Sequence, residues 1–155
     1  MRYLTFIYAA AIAATFASPT LAADRFYMMT TETEVSGTRE LESGAATRAI
    51  ARSLPVANQA ARADKRAAAL ANLCIGHAVR REYGQALPYC EQAVSLDETD
   101  AALLVNRGVV RYFTGQREAG VEDFERALAL DPRTYQARAN LAEARENRQL
   151  AENPQ

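Results

Sequence analysis

The sequence predicts an all-α fold: a stack of helix–turn–helix repeats closed by a terminal capping helix. Asn72, Asn106 and Asn140 recur at intervals of 34 residues, and their surroundings NLC, NRG and NLA fall in register. Ala93 and Ala127, Leu96 and Leu130, and Asp97 and Asp131 keep the same spacing. Within a period, apolar residues recur at helical intervals on both sides of a turn, as in NRGVVRYFTGQREAGVEDFERALALDP from Asn106 to Pro132. The 155 residues are 49% hydrophobic and 24% charged, which suits one small globular domain. A net charge of −1, with Lys65 the only lysine, gives no basic field for nucleic acid.

Taken in order, the first element is a leader. Arg2 precedes the apolar run LTFIYAAAIAATFA, Leu4 to Ala17, and Pro19 and small residues follow before Asp24. This is the layout of a secretory signal peptide over 1–23, with cleavage after Ala22 or Ala23. A run of 14 residues falls short of a spanning helix, so no membrane insertion is expected after cleavage. The mature chain would lie outside the cytoplasm, in the periplasm if the source is bacterial, as the alanine- and arginine-rich composition indicates.

Residues 24–42 begin with DRFYMMTTETEVS, which has aromatics and threonines but no helical period. They predict a flexible or extended arm, or a short strand. Residues 43–66 predict a degenerate helical cap. Ala46, Ala49, Ile50 and Leu54 have helical spacing, which places a helix at about 43–54, ended by Pro55.

The next three elements follow the period: units at 67–100 and 101–134, then a single helix at 135–152 with no partner helix after it. The period and these residues resemble the tetratricopeptide repeat (TPR), which stacks into an α-solenoid. In the second unit the family's slots hold Leu104, Arg107, Gly108, Arg111, Gly120, Phe124, Ala127 and Pro132. In the first they hold Leu70, Leu73, Cys74, His77, Ala86, Cys90, Ala93 and Glu98. Arg107, Arg111, His77, Cys90 and Glu98 depart from the pattern, but every small slot keeps a small residue. The resemblance implies that Gly108 meets Gly120 where the two helices touch, offsetting the roughly 1 kcal/mol that a mid-helix glycine costs. Pro88 is placed in the first turn of its helix, where a missing amide is harmless.

Little in the chain offers chemistry. Cys74 and Cys90 fall in core slots of facing helices, and an even cysteine count in an exported chain points to a disulfide. Two buried free thiols are the alternative. Cys74, His77 and Cys90 are too few for a zinc site, and His77 reads better as a packed histidine in the aromatic slot. No catalytic or cofactor motif is present, so a non-enzyme is expected. Glu118, Glu122, Asp123 and Glu125, with Arg117 and Arg126, read as a solvated helix face.

The resemblance implies a concave face lined by the first helix of each unit. The candidate partner-binding residues on it are Asn72, Ile75, Val105, Asn106, Val109, Tyr112, Phe113 and Asn140. Asparagine amides both donate and accept, which suits an extended peptide. Of the adjacent Tyr112 and Phe113, one is expected at the surface as a binding anchor, unless the cap helix covers both. The face lacks lysine, so the family's clamp for chaperone C-terminal carboxylates is not expected. The favoured reading is a protein- or peptide-binding adaptor of the bacterial cell envelope. The alternatives are a self-associating assembly protein, its groove filled by its own arm or another copy, and a weaker thiol-based enzymatic role.

Overall fold

The computed structural model describes residues 25–31 and 35–153. The leader read at 1–23 lies outside them. Seven helices follow one another: α1 (Thr38–Glu42), α2 (Ala46–Gln59), α3 (Ala63–Val79), α4 (Tyr83–Leu96), α5 (Ala101–Phe113), α6 (Arg117–Leu130) and α7 (Tyr135–Glu152). No strand occurs among the described residues. Neighbours in sequence are neighbours in space, with α3 on α4 and α5 on α6 the largest contacts.

The burial pattern explains the order. In α3 every residue from Ala67 to Gly76 is buried, because α2, α4 and α5 all press on it. A helix apolar on all sides has to be enclosed in this way. In α5, Ala102 to Asn106 and Gly108 to Val110 are buried likewise. The second helices are amphipathic. The α4 helix buries Ala86, Cys90, Ala93 and Val94, at i, i+4, i+7 and i+8, and α6 buries Gly120, Asp123, Phe124 and Ala127, at i, i+3, i+4 and i+7.

Between α5 and α6 the backbones touch. A Cβ at Gly108 would lie 2.6 Å from a Phe124 ring carbon and 2.9 Å from the Gly120 carbonyl oxygen. One at Gly120 would lie 2.6 Å from the Gly108 carbonyl oxygen. Gly120→Ala is therefore expected to destabilise the fold by about 1–3 kcal/mol, because the steric cost exceeds the gain in helix propensity. Urea unfolding at constant slope checks this. An unchanged or higher midpoint would show that the helices can separate freely.

Three local expectations are corrected. Pro55 does not end α2, which runs on to Gln59. Val56 and Ala57 pack against the core, while Pro55 and Ala51, whose carbonyl loses its partner, are exposed, so water can satisfy it. Pro88 is the sixth residue of α4, past the first turn. It is tolerated for the same reason, since Pro88 and Gly84 are both exposed. The arm is not extended throughout. Residues 38–42 form α1, whose Leu41 is only 1% exposed and packs with Ala49 and Ile75.

Candidate functional site

Asn72, Asn106 and Asn140 stand on α3, α5 and α7, and each is 0–1% exposed. A buried amide that found no partner would cost about 1–3 kcal/mol. Their partners lie outside the helices that carry them. The Tyr27 N–H donates to Asn140 Oδ1 at 2.7 Å, and Asn140 Nδ2 donates to the Tyr27 carbonyl at 2.8 Å. The Met29 N–H donates to Asn106 Oδ1 at 2.9 Å, and Asn106 Nδ2 donates to the Met29 carbonyl at 2.7 Å. Asn72 Nδ2 donates to Thr38 Oγ1, the first residue of α1, at 3.0 Å. Two of the three asparagines thus bracket an extended main chain, that of residues 25–31, and the third holds the helix that follows it.

The apolar residues of this face lie under the same arm. Phe26, 8% exposed, sits 4.5 Å from the Tyr112 ring, 5.3 Å from Phe113 and 6.1 Å from Phe124. Val109, Leu141 and Ala144 complete that cluster, and Met28 packs against it. Val105 lies in the central core. Ile75 lies under Leu41 and Ala49. The surface anchor expected at Tyr112 or Phe113 is corrected: Tyr112 is buried and Phe113 half-buried. Leu141 and Ala144 of α7 share their cluster, but Phe26 supplies the facing ring. Tyr83 stacks on Phe113 at 4.8 Å, and the Arg117 guanidinium lies 5.5 Å from the Tyr112 ring centre.

A second correction concerns Asp123, which does not belong to a solvated face. It is 3% exposed and accepts from Arg107 Nε and Nη2 at 2.9 and 2.6 Å, and from Arg111 Nη1 at 3.1 Å. The two arginines in apolar slots therefore reach across from α5 to one carboxylate on α6. Glu118 and Glu125 do face outward, each paired with an arginine of α7.

The remaining candidates are packed. Cys74 and Cys90 are 0 and 1% exposed, and their Sγ atoms are 2.13 Å apart, at disulfide distance. His77 Nδ1 lies 2.7 Å from Glu82 Oε2, and its ring stacks on Tyr89. Hydrogen bonds from Arg80, then His77, hold the Glu82 carboxyl below the usual carboxylate range. Among the described residues, no cluster of three His, Cys, Asp or Glu side chains is placed to hold a metal ion.

Solved structures share this architecture. The second TPR domain of human RPAP3, solved by NMR in complex with the HSP70 peptide SGPTIEEVD, matches with a TM-score of 0.61. The match covers 70% of this chain and 88% of that one, at 28% identity. The fold is that of a TPR domain. The first TPR domain of human RPAP3 matches over 77% of this chain and 91% of that one, with a TM-score of 0.66 and 20% identity. No protein-family model matches the chain. Within this fold α3 packs on α4, α5 on α6, and α7 on α6.

The sequence held the chain's own arm as the alternative occupant of the face, and Phe26 to Met29 lie there, but it did not show the Arg107–Asp123–Arg111 cluster. The arm gave only a weak signal, apolar residues without helical period. The cluster gave a stronger one, two arginines at i and i+4 in slots that ask for apolar side chains.

Proposed function

We propose that this TPR domain is a non-enzymatic interaction scaffold, holding an extended protein segment along the inner face of α3, α5 and α7. The observation that carries the reading is the pair of asparagine amides, Asn106 and Asn140, already bonded to both polar groups of an extended main chain. The peptide complex of the second RPAP3 domain supports a peptide as the partner class. The partner is an apolar extended segment. An acidic C-terminus suits the face less well, since none of the eight candidate residues is cationic.

The site of action we propose is the bacterial cell envelope. The leader-like layout of residues 1–23 and the cysteine pair at disulfide distance both fit an oxidising compartment. No helix among the described residues is long and apolar enough to cross a membrane.

Photo-crosslinkers placed in living cells at Phe113, half-buried beside Phe26, and at Tyr135, which is 52% exposed beside Tyr27, test the scaffold. Capture of one common protein from both positions is expected. The second reading is self-association, favoured by the fact that the occupant of the face belongs to this chain. Capture of this protein alone, with a solution mass that grows with concentration, would select it.

Asn106→Ala tests the hold on the main chain. It removes two hydrogen bonds to Met29, an expected loss of about 1–3 kcal/mol locally. Hydrogen exchange at the Met29 amide should then quicken by roughly tenfold or more, since 1.4 kcal/mol corresponds to a factor of 10. Unchanged exchange would show that the amide does not hold the arm.

A further inference from the structure

Residues 26–31 occupy the inner face in the manner of a ligand. The Asn106 and Asn140 amides each exchange two hydrogen bonds with a single arm residue, as a neighbouring strand would. Tyr27 and Met29 are two residues apart, so both pairs use one edge of an extended chain. The direction is set: the chain passes α7 first, then α5, and continues towards α3, where Asn72 holds Thr38. These contacts read main chain, which every sequence possesses. Selectivity lies in the pockets. Phe26 enters the ring cluster of Tyr112, Phe113 and Phe124, and Met28 packs against three apolar clusters, those of Val109 and Leu141, of Cys74 and Val110, and of Leu41 and Ile75.

We propose that residues 26–31 are a tethered competitor for the groove. On this view the partner segment is a second extended chain of the same pattern: an aromatic residue, then two residues later a long unbranched apolar one, running from α7 towards α3. The inference rests on the scaffold reading above and adds to it the partner's recognition pattern and a built-in threshold. A tethered ligand needs no encounter step, because its effective concentration is set by the short connection to α1. A partner sees only the fraction of molecules whose arm is released, and its apparent affinity falls by that fraction. An open fraction of about 1–10% would weaken binding by about 10–100-fold.

The probe is a fluorescent peptide with the sequence of residues 25–31, RFYMMTT, titrated against the full chain by anisotropy. Phe26→Asp places a charge in the ring cluster and releases the arm, and circular dichroism confirms that the helices persist. The peptide is expected to bind Phe26→Asp at least tenfold more tightly than the unmodified chain. Adding Asn106→Ala should abolish the gain, and so should replacing the peptide's Phe and first Met with Asp. Equal affinity for the two chains overturns the proposal, as does absence of binding to a helical Phe26→Asp chain.

If Phe26→Asp unfolds, the unmodified chain still decides. Excess peptide should accelerate hydrogen exchange at the Tyr27 and Met29 amides, and no acceleration counts against the competitor. A stable dimer with each arm in the other copy's groove also overturns it. A failed peptide test with a partner still captured at Phe113 and Tyr135 removes the competitor and leaves the scaffold. Capture of no partner at either position removes the scaffold itself.

Discussion

Replacing Asp123 with alanine is expected to destabilise the fold by about 3–5 kcal/mol, more than any other single substitution considered. The carboxylate side chain is 4% exposed, and those of Arg107 and Arg111 are 13 and 21% exposed. With Asp123 gone, two guanidinium groups face each other at the α5–α6 contact without a counter-charge. Arg111 has little to fall back on, because its Nε is already buried without a hydrogen-bond partner. Leaving the protein requires both arginines to swing into water, which opens the packing around Phe124. The ion cluster need not stabilise the fold relative to apolar packing, since desolvation opposes its Coulombic gain. A triple variant that returns these positions to the apolar pattern, Arg107→Leu with Arg111→Tyr and Asp123→Ala, is therefore expected within about 1–2 kcal/mol of the parent. Urea midpoints of the single and triple variants decide. A single variant within 1 kcal/mol of the parent would show that the arginines are effectively solvated.

The legible parts of this molecule are those whose cause is local and periodic. A 34-residue period, small residues at the crossing points and apolar residues at helical spacing are each written in short stretches of chain. Together they predicted the all-α repeat fold, although α3 begins at Ala63, four residues before the first unit read from the period. The arm failed this test because its conformation is dictated from far away: the hydrogen bonds of Tyr27 and Met29 reach across 113 and 77 residues. The period placed the asparagines but left their occupant open between a partner, another copy and the chain's own arm, since a buried amide accepts any main chain. The proline readings failed differently. Proline removes a hydrogen bond everywhere, but the consequence depends on whether the freed carbonyl faces water, and Ala51 and Gly84 do. Asp123 was readable in principle. It falls three residues after Gly120 and four before Ala127, on the inward stripe of α6 and away from Glu118, Glu122 and Glu125.

Removing the crosslink by the double change Cys74→Ala and Cys90→Ala is expected to cost about 3 kcal/mol, from the chain entropy released by opening a loop of this length. The cysteines are separated by 16 positions and join α3 to α4 at a buried contact with Ala78, Ala86 and Val110. Alanine is the right replacement. Serine would put hydroxyls where both side chains are at most 1% exposed, adding a desolvation cost unrelated to the bond. The helices should survive, because α3 and α4 share the largest interface in the fold and most of it is independent of sulfur. The same variant separates a stabilising crosslink from thiol chemistry. Sulfurs this deeply buried are out of reach of a partner thiol, so partner capture at Phe113 should persist wherever the variant is folded. Urea unfolding of the parent with and without reductant completes the argument. A midpoint that falls on reduction to that of the double variant assigns the stability to the bond. Coinciding curves under oxidising conditions would mean that the two thiols are free.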